Sequence, residues 1–214
     1  MATIKHGANG GFKGKAGSVI GSSWKGIDYI KGLSKKRTKP FSEEQKIQQE
    51  RFATITKFLM PIAPILKLGF GQKNADAMTP ANVALQANMD TAVTGVYPLF
   101  ELDYSKILIS SGSFVGGGAM TASVAAGTLS IDWDTALNSL YGSKADDQVV
   151  ILLHQPTINE FMTVPTPPTR ADGTVDIVIP THFLGGKGHV WIFFADRKGK
   201  KVSRSSYLGE LDLV

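Results

Sequence analysis

Eight glycines crowd the first forty residues: Gly7, Gly10, Gly11, Gly14, Gly17, Gly21, Gly26 and Gly32. Glycine surrenders more backbone entropy on folding than any other residue. Strands cut from such a stretch make a hairpin too weak to stand alone. Two short apolar runs sit inside it, Ser18–Ile20 and Ser23–Ile30. Their alternation predicts two strands joined by a turn near Gly21-Ser22, with Trp24 opposed in phase to Ile27 and Tyr29. The expectation is an unfinished sheet that completes a neighbour's sheet edge. Trp24, Ile27 and Tyr29 anchor it, and Gly21 and Gly26 permit close backbone approach.

The same forty residues carry nine Lys/Arg against one acid, Asp28, while the rest of the chain holds 14 basic and 17 acidic side chains. The overall charge of +5 thus conceals a basic arm on an acidic body. The densest cluster is Lys35-Lys36-Arg37-Thr38-Lys39. Lys35, Lys36, Arg37 and Lys39 suit either phosphate or the acidic surface of another copy.

Past Pro40 the pattern becomes helical. Ser42-Glu43-Glu44-Gln45 is a capping box, in which the Ser oxygen and the Gln side chain satisfy each other's backbone amides. Ile47, Phe52, Ile55, Phe58 and Leu59 follow at helical spacing. Pro61 ends or kinks this helix and Pro64 breaks the chain again. Thr79-Pro80 starts a second helical piece through Met89.

From about residue 96 the pattern is of strands. They are expected at 107–109, 128–133, 149–154, 174–179, 189–195 and 203–208, with turn signals between them. One of those signals is Lys144-Ala145-Asp146-Asp147, where the aspartates serve backbone geometry. Val149–Leu153 is apolar throughout, as a strand covered on both faces is. The proline-rich 155–170 can supply only an edge strand or a loop. Ser110–Gly118 is expected to be a flexible crossing. An antiparallel sandwich or a closed barrel fits this pattern. The segmentation is a Gly-rich basic arm (1–40), a helical segment (41–95) and a sandwich (96–214).

The composition excludes several chemistries. There is no cysteine, so disulfides, thiol nucleophiles and cysteine-ligated metals are absent. None of His6, His154, His182 and His189 stands two, three or four residues from another, so they form no local metal pair. Gly10–Ala16 imitates a phosphate loop, but Asn9 and Ala16 stand where glycine and Ser/Thr are needed. No Gly-x-Ser-x-Gly elbow is evident. No catalytic, cofactor or metal residue is assigned, and no small-molecule substrate is inferred. The stretch Phe58–Leu68 is too short to span a bilayer. The start lacks an apolar export region. The expectation is therefore cytoplasmic synthesis without a signal peptide or membrane insertion, with release as a virion or other assembly.

Two stretches carry a family resemblance. They are GGFKGKAGSVIGSSWKGIDYIKGLSKKRTKPFSEEQKIQQERF (residues 10–52) and HVWIFFADRKGKKVSRSSYLGEL (residues 189–211), the second preceded by DDQVVILLH and RADGTVDIVIP. Together they resemble an uncharacterised Bacteroidota protein family of unknown function, with some members encoded near phage-like genes. The resemblance implies an Ig-like C-terminal half. It brings no activity and no catalytic residue.

The fold expectation is mainly β: an antiparallel Ig-like β-sandwich C-terminal half, an N-terminal β-hairpin arm and one or two α-helices. The functional expectation is a non-enzymatic, self-assembling structural protein, a phage virion or filament subunit joined to copies of itself through its N-terminal arm. The alternative is a nucleic-acid-associated or other soluble binding module that uses the basic strip 31–39 or the sandwich loops.

Overall fold

The computed structural model describes residues 2–3, 13–24, 26–36, 38–71, 78–138, 140 and 142–214. His6, Arg37, and residues 10–12 of the loop-like run lie outside them. The chain divides into two compact units, Met1–Gln45 and Lys46–Val214.

The first unit is a four-stranded antiparallel sheet made of β1 (Ala2–Thr3), β2 (Gly14–Ala16), β3 (Val19–Trp24) and β4 (Ile27–Gly32), in the order β1-β4-β3-β2. This corrects the expected hairpin in two respects. The turn falls not at Gly21-Ser22 but just before Ile27, where Gly26 takes a φ of +80° that only glycine adopts readily. β3 runs straight through Gly21. The segment also forms four strands where two were expected, with β1 and β2 outermost.

The second unit holds three helices, where one or two were expected. α1 (Glu43–Leu59) begins in the first unit and continues into the second. Its capping box forms: the Gln45 amide donates to Ser42 Oγ at 3.4 Å and the Ser42 amide to Gln45 Oε1 at 3.3 Å. Pro61 ends the helix. Pro64 does not break the chain but sits in the first turn of α2 (Ala63–Gly69), where its missing amide is no loss. α2 runs at 89° to α1. α3 (Pro80–Met89) starts as expected, with Thr79 Oγ1 accepting from the Asn82 amide. No single helix among the described residues is long and apolar enough to cross a membrane.

The rest is mainly β. A ribbon of β5 (Val93–Val96) and β6 (Leu99–Leu102) precedes two antiparallel sheets. One contains β7 (Met120–Ala125), β8 (Thr128–Trp133) and β11 (Thr174–Val178), ordered β11-β8-β7. The other contains β9 (Gln148–Gln155), β10 (Glu160–Thr163), β12 (Gly186–Ala195) and β13 (Ser206–Leu213), ordered β10-β9-β12-β13. The strands fall into two separate antiparallel sheets packed face to face, a sandwich and not a closed barrel. β10 is the edge strand that the prolines of 155–170 require.

The four-stranded sheet is covered on both faces. Ile151, Leu153, Val190 and Ile192 meet Leu129 and Ile131 of the opposite sheet. Leu152, Trp191 and Phe193 meet Ile55, Phe58 and Leu66 of the helices. From Ile55 on, the helical segment thus shares a core with the sandwich.

Two expectations are corrected here. Residues 107–109 form no strand. The Asn88 side chain clamps both backbone groups of Leu108, at 2.7 and 2.9 Å, and Ser205 Oγ accepts from the Ile109 amide. Side chains therefore satisfy this backbone in place of a ladder. Ser110–Gly118 is no flexible crossing either. Ser110 Oγ donates to the Ser203 carbonyl and the Phe114 amide to that of Val202. A Cβ at Gly112 would lie 1.9 Å from the Val202 oxygen, so glycine serves close packing there.

Candidate functional site

The turn at Gly26 decides what the N-terminal sheet presents. In an unbroken strand Trp24 and Ile27 point to opposite faces. Here the chain reverses between them, and Trp24 becomes the register partner of Ile27. Tyr29 pairs with Ser22, Lys31 with Ile20, and Ile20 with Lys15. Trp24, Ile27, Tyr29 and Ile20 therefore share one face, and Lys15 and Lys31 lie on that face too. Gly21 pairs with Ile30 on the opposite face. For Gly26 a Cβ would meet nothing within 4 Å, so the turn explains the glycine and close approach does not.

No apolar side chain described in this unit is buried: Trp24 is 50% and Ile27 54% exposed, and Ile20 and Tyr29 are half-buried. After β4, Lys35 and Lys36 are exposed. Lys39 engages a neighbouring group.

The second unit contains a cavity of about 570 Å³ between α1, β6 and the turn after β9. Sequence reasoning missed it, because its lining comes from distant segments. Phe58, Phe100, Tyr104 and His154 supply aromatic walls, and Glu50 and Glu101 supply carboxylates against the single cation of Lys57. Of α1's expected stripe, Ile55, Phe58 and Leu59 are buried, whereas Phe52 is 47% exposed because it lies on the flank of the packed face.

His154 is 2% exposed, with both ring nitrogens sealed from solvent. It stacks on Phe161 at 4.4 Å between centroids and meets the Phe58 ring edge-on at 5.1 Å. Burial pushes its pKa down to about 4, with His189 adding to the effect and Asn159 offsetting part of it. The imidazole is neutral at pH 7, with one donor and one acceptor. Next to it across the strands lies His189, also lowered by burial, stacked under Tyr104 at 4.0 Å and joined to the Tyr207 hydroxyl at 2.7 Å. Burial raises both Tyr104 and Tyr207. Among the described residues no three His, Asp or Glu side chains converge as a metal site.

Asp147 does more than shape the turn that its sequence signals. It is 1% exposed and accepts from Arg170 Nε at 3.2 Å. Arg170 also donates to the Val115 and Gly116 carbonyls, each at 2.8 Å, and lies 4.4 Å from the Phe194 ring centre. The pair bolts the Ser110–Gly118 segment to the sandwich and offers no reactive group to solvent.

Residues 11–209 match a family described as a family of unknown function (DUF6266). No curated protein matches the chain.

Proposed function

The chain belongs to the DUF6266 family, and we propose that it is a non-enzymatic structural subunit that assembles with copies of itself through its N-terminal sheet. The observation that carries this reading is the uncovered face of Trp24, Ile27, Tyr29 and Ile20. A sheet one layer thick gains stability by burying such a face against another layer. Each large side chain covered is worth roughly 1.5–3 kcal/mol. The reading adds a face to the expected completion of a neighbour's edge. The basic arm and acidic body favour contact between unlike surfaces. Such head-to-tail contacts generate rings or filaments. The resemblance to a Bacteroidota family with members near phage-like genes supports a virion as the setting.

Removing residues 1–40 and measuring particle size by light scattering or electron microscopy tests the reading. Loss of the assembled species is expected, and an unchanged particle rejects the arm as the joining element.

Exposed Lys35 and Lys36 support a second reading, nucleic-acid binding without sequence preference. It requires steeply salt-dependent binding, with the log–log slope falling by about 0.9 for each phosphate that is no longer neutralised. Replacing Lys35, Lys36 and Arg37 by Gln must flatten that slope, and no binding to DNA or RNA at low salt eliminates the reading.

A further inference from the structure

We infer that the aromatic cavity of the second unit is the receptor for the β3–β4 hairpin tip of a second copy, with Trp24 as the inserted side chain. The inference rests on the self-assembly reading and names the surface that completes it.

The two surfaces match in size, aromatic character and charge. Trp24 stands at the end of β3, half exposed, next to the turn at Gly26, which makes it a projecting ring. The cavity, at about 570 Å³, falls in the range of sites that enclose ring-sized groups, and Phe58, Phe100 and Tyr104 line it with aromatic faces and edges. The charges agree: Lys15 and Lys31 share the face of Trp24, and Glu50 and Glu101 outnumber Lys57 in the lining. The ribbon of β5 and β6 contributes Phe100, Glu101 and Leu102 to the lining. Hot spots of this kind are most often a Trp in a pocket ringed by weaker contacts.

The test uses the full chain. Ala53 lines the cavity from the exposed side of α1, so Ala53→Arg fills the mouth without touching the core, and a thermal melt confirms folding. Trp24→Ala and Ala53→Arg are each expected to weaken self-association about tenfold or more. The double variant should be no worse than either single one, as coupled sites behave. Additive losses, or Ala53→Arg without effect while removal of residues 1–40 abolishes assembly, overturn the receptor and leave the self-assembly reading standing. If removal of residues 1–40 has no effect, that reading falls first. A second measurement uses the absence of cysteine. Ser22→Cys, on the face of Trp24, and Glu101→Cys variants carrying tags of different size are mixed and oxidised. A cross-link joining the two tags is expected. A cross-link confined to a single chain carrying both cysteines means that the tip folds into its own body, and it overturns the proposal.

Discussion

The molecule contains two four-stranded antiparallel sheets, β1-β4-β3-β2 and β10-β9-β12-β13. Their ladders are alike and their faces are not. In β12, Val190 through Ala195 is buried without interruption, because helices cover one face and the second sheet covers the other. In β3 and β4 no apolar side chain is buried. Every buried apolar side chain among the described residues lies at Ile55 or beyond. Backbone hydrogen bonds thus suffice to define a sheet, and its side chains decide whether it becomes core or interface. The sheet of the body finds its partners inside the chain. In the N-terminal sheet Trp24 and Ile27 stay exposed.

The contrast breaks most visibly where the body is cut. Arg170→Ala leaves Asp147 buried without its partner and should cost about 3–5 kcal/mol, as other broken buried pairs do; urea unfolding of the body measures it. Trp191→Ala, fully buried between β9, β13 and α1, should cost a similar ~3–5 kcal/mol. Losses below about 1 kcal/mol would mean that the body is looser than its packing indicates.

A smaller effect comes with pH. His154 is held near 4 in the folded state by burial and returns to about 6.5 on unfolding. The unfolded chain therefore takes up the proton first. Stability is full above about pH 6.5 and falls by about 3 kcal/mol as pH drops to about 4. His189 is lowered in the same direction and adds to the loss. His154→Leu should flatten the decline and raise stability at pH 5. An unchanged decline would exclude His154 as its source.

The smallest stability effect sharpens the comparison from the other side. Trp24→Ala removes as large a ring as Trp191→Ala does, yet it should change unfolding of the body by less than about 0.5 kcal/mol, while self-association weakens. A loss comparable to that of Trp191→Ala would place Trp24 in a core.

How far the sequence reveals this architecture depends on how local each signal is. The Ser42–Gln45 box, the Thr79-Pro80 start and the alternation of β8 and β11 are written within a few residues, and each appears where the pattern places it. The unbroken apolar run of β9 even announces its two covered faces. Residues 107–109 mislead because Asn88, twenty positions away, satisfies their backbone. Trp24 and Ile27 read as opposed because phase carries meaning only once the turn is located. The cavity is invisible in sequence, since Glu50, Glu101 and His154 meet only after α1, β6 and β9 have packed. Asp147 reads as a turn residue until Arg170 is brought to it.

The chain has three tryptophans, and Trp133 and Trp191 are 5% and 0% exposed. Trp24 is therefore the one that a quencher in solution reaches. Acrylamide quenching of tryptophan emission across a wide range of chain concentration follows its burial directly. One accessible tryptophan is expected in dilute solution, and its protection, with a blue shift, is expected as particles form. Equal quenching at every concentration, with particles present, would place the contact between copies somewhere other than this face.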